Sequence, residues 1–360
     1  MIFRIKKHCI TLLLPLMMLC SCGSSTPPTQ AQMPGTHPVA PPASQPPVTA
    51  AAQPSPTAAF AAWIADFKRE ALAKGISQPV LDDAFAGVIQ PSDSILERDH
   101  TQPEKTKSFP QYLANFLKQK RIDAAREQWD SRRELLAQVE KAYGVPAPVL
   151  LALWQTESNF GKVQGKFSIV ESLATLAYDG RRSAFFRKEL LDALIILQQQ
   201  HMPSKDLTGS WAGAMGQVQF MPSSFLTFAV DFDGDGKKDI WNNDGDALAS
   251  MANYLHSKGW DASGKLCFRV RVPQGADAVS WAESKEWHTL KAWQKLGLRR
   301  ANGARLKGDK EARLVMPDND PADAYLAYAN YDVIMDWNHS TYFATAVSLL
   351  ADAIAQQEKN

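Results

Sequence analysis

Apolar residues recur at helical spacing over most of the chain. Trp63, Ile64, Phe67 and Ala71 are separated by polar and charged positions, an interval that fits one face of a helix. Residues 112–142, rich in Arg, Lys, Glu and Leu, predict further helix, and Pro103-Glu104-Lys105 predicts a loop before it. Residues 145–260 alternate helical runs with Gly-rich turns. From Lys265 to Ala327 the period falls to two: Cys267–Val272 and Ala312–Met316 predict strands joined by polar turns. The last segment predicts a helix from Ser340, its N-cap, to Gln357, with Phe343, Val347, Leu350 and Ile354 on one face. The pattern therefore describes an α+β, mainly helical protein. It has a helical region at 60–142, a core at 143–262, a small β-rich insertion at 263–327 and a C-terminal segment at 328–360 that returns to the core.

The first 59 residues follow a different logic. Arg4, Lys6 and Lys7 precede an apolar stretch from Cys9 to Cys20, long enough for a signal peptide and short for a membrane span. Leu19-Cys20-Ser21-Cys22 resembles a bacterial lipobox. The resemblance implies cleavage after residue 21 and acylation of Cys22, and several acyl chains anchor a protein stably. Gly23 after the cysteine, not Asp, points to the outer membrane, with the protein facing the periplasm. Residues 22–59 contain no Asp, Glu, Lys or Arg and hold ten of the 22 prolines, a composition that predicts a disordered tether.

The whole chain has 39 Lys and Arg against 38 Asp and Glu. Without the three N-terminal cations the balance is 36 against 38, so no overall basic field exists to hold nucleic acid. Of four cysteines only Cys267 lies in the globular part, which excludes an internal disulfide framework and a four-cysteine zinc site. The apolar alternation around Cys267 predicts a buried, inert thiol.

One acid stands out. Pro148 can open a helix, Gly161 can close it, and the run between them is apolar up to Glu157. Glu157 follows Leu153 by four residues and Trp154 by three, so it continues the apolar stripe. Desolvation beside Trp154 and Phe160, with the negative end of the helix dipole, should hold its carboxyl protonated. A carboxylic acid kept neutral near pH 7 is what a general acid requires.

Glu157-Ser158-Asn159-Phe160-Gly161 resembles the catalytic helix end of lysozyme-like lytic transglycosylases. The run Gly209–Ser224, containing Ala214-Met215-Gly216-Gln217-Val218-Gln219-Phe220-Met221-Pro222, is very similar to the second motif of the membrane-bound lytic murein transglycosylase B family. A third block runs from Asn330-Tyr331-Asp332 to Trp337-Asn338-His339-Ser340. The resemblance covers roughly residues 60–355. It implies a lysozyme-like catalytic core with Glu157 as acid and base, Ser210 near its carboxyl, and Gln219, Tyr254 and Asn338 in the substrate cleft. Gly209, Gly213 and Gly216 would let backbone approach the glycan, and Trp211, Phe220 and Tyr254 would offer flat faces to sugar rings.

The implied activity is that of a lyase of peptidoglycan. It cleaves the β-1,4 bond between N-acetylmuramic acid and N-acetylglucosamine, forms 1,6-anhydro-N-acetylmuramic acid, and serves cell-wall turnover. No cofactor enters that chemistry. The motifs supply no convincing second carboxylate of the kind a hydrolase uses; Asp179 and Glu171 are the candidates. Alternatives are a muramidase that uses water and a catalytically silent peptidoglycan-binding lipoprotein. The expected partners are glycan strands and, through Cys22, outer-membrane lipid.

Asp231-Phe232-Asp233-Gly234-Asp235-Gly236 matches the opening of an EF-hand loop, with Lys237 offering its backbone carbonyl. The twelfth position is Asn242 where Glu is required. The resemblance implies a longer loop, 231–246, closed by a later carboxylate. Asp246 fits, with Asp244 as the alternative, and the expected ligand is a structural calcium ion.

Overall fold

The computed structural model describes residues 55–101 and 107–356. The signal segment, Cys22, most of the tether and the Pro103–Lys105 loop lie outside the described residues. Helix Pro56–Ala73 starts inside the stretch read as tether, because Ser55 accepts the Ala58 amide at 3.2 Å and caps it. Five more helices follow: Gln78–Ala84, Asp93–His100, Phe109–Phe116, Gln119–Ser131 and Arg133–Tyr143. The continuous helical pattern of 112–142 is thus cut twice. The second cut falls at Arg132, which ends one helix and begins the next with φ −125°.

Helix Ala147–Ser158 is the centre of the fold. Residues Val149 to Trp154 are all buried, so it is apolar all round, as expected for a helix enclosed by others. The C-terminal helix Thr341–Ala355 packs along it. That helix is capped by Ser340, as the sequence predicts, and buries Phe343, Val347, Leu350 and Ile354. Helices Ile169–Asp179, Ser183–Gln199, Pro222–Phe228 and Asp244–Ser257 complete the core. Between them Phe167–Ser168 pairs antiparallel with Thr208–Gly209.

The remaining strands form one five-stranded antiparallel sheet. Its order is His288–Thr289, Glu311–Val315, Tyr325–Ala327, Cys267–Arg271, Arg299–Arg300. One face has a separate small core of Val270, Leu290, Trp293, Leu298, Leu314 and Leu326. Two short helices, Ala278–Ser284 and Leu290–Lys295, interrupt what the alternation presented as strands and turns. Asp277 and Thr289 cap them by accepting the amides of Ser280 and Ala292. The mainly helical α+β class stands. Cys267 is buried, and burial pushes its thiol up to about 12, so it is inert as expected.

The sheet also holds the helix that follows it. Arg313 of strand Glu311–Val315 pairs with Asp332 of helix Ala329–Trp337. Asn330, on the same helix, exchanges two hydrogen bonds with the backbone of Asp261, each 2.8 Å.

Gly165 sits at the entry to the two-stranded pair with φ +94°, and a Cβ there would lie 2.0 Å from the Gly209 carbonyl oxygen. Gly275 has φ +80° but open space around it. Gly165→Ala is therefore expected to cost about 3 kcal/mol or more in denaturant unfolding. Gly275→Ala should cost only about 1–2 kcal/mol, the left-handed backbone penalty alone. Equal losses would show that the backbone contact at Gly165 is dispensable.

Candidate active site

Helix Ala147–Ser158 has Pro148 in its first turn and is capped by Asn159 in the left-handed region. Phe160 and Gly161 continue with φ 60° and 77°. The helix thus stops short of Gly161, where the sequence placed its end, since Asn tolerates the left-handed cap. A positive φ is unusual for Phe. Burial of its ring edge-on to Trp154, centroids 5.3 Å apart, holds it there. Ser158 steadies the turn by accepting the Gly161 amide at 2.9 Å.

This reversal leaves Glu157 in the last helical turn, partly open to solvent but enclosed by protein. Burial pushes its carboxyl from the ordinary 4.5 up to about 7, and a hydrogen bond from Trp337 works in the opposite direction. The indole Nε1–H of Trp337 donates to Glu157 Oε1 at 2.7 Å. The ring bonded to the acid is therefore Trp337 and not Trp154, which is fully buried with its own N–H on Gln217 at 2.8 Å.

Tyr254 packs edge-on against Trp337 at 4.9 Å, and its hydroxyl donates to the Asp336 carbonyl at 2.8 Å. Burial pushes that hydroxyl up to about 12, so it remains a donor. Tyr254 thus fixes the backbone beside Trp337. Phe220 is buried against the same two rings, 5.4 Å from Trp337 and 6.0 Å from Tyr254. Phe220 is core here, so its ring is not a face offered to sugar.

Gln219 has φ 52°, and its side-chain amide N–H donates to the carbonyls of Gln164 and Gly216 at 3.1 and 2.9 Å. That orients the amide and commits its N–H groups to protein. Ser210 accepts the Ala214 amide at 3.0 Å. Asn338 is exposed and caps helix Ala329–Trp337 immediately after Trp337. Trp211 is half-buried. The close approach permitted by the motif glycines is to the protein's own chain: a Cβ at Gly209 would lie 2.1 Å from Ala214 O, and one at Gly216 2.7 Å from Ile240 O.

Four residues were not singled out from the sequence. Trp337 lies within the third block, beside Asn338. Tyr112 faces the acid's surroundings: burial raises its hydroxyl, the Glu157 charge raises it further, and Arg121 opposes both. Gln217 is buried, accepts Trp154 Nε1–H, and donates to Asp244 Oδ1 at 3.1 Å. Arg132 bonds the other Asp244 oxygen at 2.7 Å and lies over the Trp154 ring at 5.2 Å. No sequence signal marked that contact, since 112–142 read as continuous helix and the break at Arg132 is seen only in the structure. The candidate second acids are occupied elsewhere or unconnected. Asp179 meets His100 at 3.4 Å, and no carboxylate among the described residues figures in the shift of Glu157.

In the acidic loop, oxygens of Asp231, Asp233 and Asp246 lie within 4.8 Å of one another. Asp246 is fully buried, and its two oxygens accept the amides of Phe232 and Asp239, both at 2.8 Å. Burial raises its affinity for a proton, opposed by those amides and reinforced by Asp233 and Asp231. Asp244 turns away to Arg132 and Gln217, so Asp246 is the residue that returns to the loop. Asp235 is outside the group of three, and its Oδ1 accepts the Lys237 amide at 2.8 Å. Three convergent carboxylates form an all-oxygen donor set of the kind hard cations take.

A family model described as the transglycosylase SLT domain matches residues 59–352. The chain is 32% identical over 234 residues to membrane-bound lytic murein transglycosylase B of Escherichia coli K12; the match covers 63% of this chain and 62% of that protein. Among solved structures it resembles SltB3 from Pseudomonas aeruginosa in complex with NAG-NAM-pentapeptide, with a TM-score of 0.77, 42% identity, and coverage of 82% and 79% of the two chains. It also resembles the Escherichia coli lytic transglycosylase Slt35 in complex with calcium, with a TM-score of 0.69, 26% identity, and coverage of 82% and 94%.

An acid whose pKa rises on folding makes the folded state less stable as pH increases from its unfolded value through its folded one. For Glu157 that window runs from about 4.5 to about 7, and the full cost is about 3 kcal/mol. Glu157→Gln removes the ionisable group. The variant should therefore match the wild type at pH 4 and exceed it at pH 8, by about 2–3 kcal/mol in urea unfolding. A pH-independent difference would show that the carboxyl is not held in this way.

Proposed function

The chain belongs to the transglycosylase SLT domain family, and on that premise we propose that it is a lytic transglycosylase of peptidoglycan acting in cell-wall turnover. The bond it cleaves is the β-1,4 link between N-acetylmuramic acid and N-acetylglucosamine. The observation that carries the reading is an enclosed carboxyl near pKa 7 with an N–H donor on it and, among the described residues, no second carboxylate acting on it.

The chemistry follows from that arrangement. Protonated Glu157 gives its proton to the glycosidic oxygen as the C1–O bond breaks. The substrate's own acetamido oxygen bonds to C1, in the place where a hydrolase puts a carboxylate or a water. Glu157 is now an anion, stabilised by the Trp337 N–H. It takes the proton of the muramic 6-hydroxyl while O6 attacks C1 and displaces the acetamido oxygen. A 1,6-anhydro ring results, Glu157 is protonated again, and no water is consumed. A pKa near the working pH suits a group that must first give and then take a proton. The attacking hydroxyl is tethered to the reacting carbon, which favours it over water. Gln219, Ser210 and Asn338 are assigned to holding the glycan, and Tyr254 to positioning Trp337 against the acid.

Calcium is the cation we assign to Asp231, Asp233 and Asp246, with Asp235 and the Lys237 carbonyl completing the set when it binds. Its role is structural: the loop joins the Gln219 segment to helix Asp244–Ser257, which carries Tyr254. Acylation at Cys22 would hold the domain to the outer membrane from the periplasmic side.

Digestion of purified sacculi should release muropeptides lighter by one water than reducing-end products in mass spectrometry. Glu157→Gln should lower that release by about 10²–10⁴-fold or more while remaining folded. Reducing-end products would establish the muramidase instead, and near-normal release by the variant would remove Glu157 from the chemistry.

Calcium should raise the melting temperature, since a ligand at a hundredfold excess over its Kd stabilises by about 2.7 kcal/mol. Asp231→Ala should abolish the rise. A wild-type melting curve indifferent to calcium and to chelator would reduce the loop to an acidic turn.

A further inference from the structure

A groove of about 910 Å³ opens beside the segment that leaves the catalytic helix. Its wall comes from three stretches, 161–166, 200–208 and 237–242, and includes neither Glu157, Trp337 nor Tyr254. Lys162, Lys166, Lys205, Lys237 and Lys238 all line it, against Asp206 and Asp239. Among the described residues none of the five ammonium groups has an ion-pair partner, whereas Lys188 and Lys291 elsewhere both do. Asp239 is already engaged, its Oδ1 accepting the amides of Trp241 and Asn242 at 2.9 Å each.

Five unpaired cations gathered on a concave wall repel one another and create a positive potential that a chain of net charge +1 does not have overall. The volume lies within the range of ligand clefts. A groove of this kind suits a flexible ligand that carries several separated negative charges. Lysine ammonium groups, on long mobile stems, accommodate carboxylates without a fixed geometry.

The groove and the cleft share a wall. Gln164 lines the groove, and its backbone carbonyl accepts the Gln219 side-chain amide at 3.1 Å. The Gln164 side chain in turn spans the carbonyls of Gly161 and Trp241, both at 2.9 Å. A glycan lying against Gln219 is therefore one residue away from the lysines. The anionic parts of that polymer are its peptide stems, which carry free carboxylates. We infer that the lysine groove binds the stem-peptide carboxylates of the glycan strand held in the cleft. The inference rests on the peptidoglycan reading above, and it assigns the groove a part in choosing stem-bearing over bare glycan.

The test uses the full chain and the triple variant Lys162→Ala, Lys166→Ala, Lys205→Ala, whose side chains are exposed. Turnover is measured on stem-bearing glycan and on the same glycan after an amidase has removed the stems. A free acidic stem peptide is titrated separately by calorimetry. The variant should show a KM about tenfold higher on stem-bearing glycan, a mid-range worth for three exposed ion pairs. Its kcat should be unchanged, as should both constants on bare glycan, and added salt should close the gap. The free peptide should bind the wild type and not the variant, and a triple Lys→Arg chain should retain binding. An equal change on both substrates, or no change on either, overturns the inference. So does binding of inorganic phosphate or anionic vesicles to the groove with none of the stem peptide. Should the wild type release nothing from either glycan, the peptidoglycan reading is what fails, and the peptide titration still judges the groove.

Discussion

Trp337 reaches Glu157 across 180 residues of sequence, its indole nitrogen 2.7 Å from the carboxylate oxygen. Two opposing requirements meet in that contact. Enclosure raises the carboxyl toward neutrality, so that a proton is available to give. The N–H donor keeps the anion tolerable once the proton has gone, and its geometry requires Trp337 to be fixed. Much of the molecule supplies that fixity. Arg313 in the sheet holds Asp332, Asn330 clasps the backbone of Asp261, and the Tyr254 hydroxyl binds the Asp336 carbonyl. The β-rich insertion has its own small core, yet through Arg313 it is coupled to the acid.

A second chain of contacts steadies the acid's own helix. Arg132 binds Asp244, Asp244 binds Gln217, and Gln217 accepts the N–H of Trp154, one turn before Glu157. Arg132 closes the circuit by lying over the Trp154 ring. Asp244 opens the helix whose first turn also carries Asp246, so the acidic loop and helix Ala147–Ser158 are tied through one carboxylate and one buried amide. This explains why Asp244 is unavailable to the loop although it precedes Asp246 by only two residues.

The fold class was legible because it depends on periodicity, and periods of 3.6 and 2 survive in a single sequence. The strands at Cys267 and Glu311 and the Ser340 cap emerged from local pattern. Helices Ala278–Ser284 and Leu290–Lys295 did not, being short segments within a stretch read as strands and turns. Glu157 was legible because a carboxyl on an apolar stripe violates the pattern. Its true neighbour was not, since nothing local distinguishes Trp337 from any other tryptophan of a helix end. The motif glycines were read as room for a ligand, when the crowding they relieve is internal. Identity was visible there; the atoms each glycine faces depend on segments such as Ile240 that only the assembled chain brings near.

The distance between Glu157 and Trp337 along the polypeptide has a consequence for the order of assembly. Synthesis proceeds from the N-terminus, and domains fold as their segments become available. A chain that has emerged through the sheet already possesses its acid, its motif loop and its acidic turn, but not the indole that completes the acid. The constraint is topological: the acid gains its N–H partner only when nearly the whole polypeptide has been delivered and its last helices have closed.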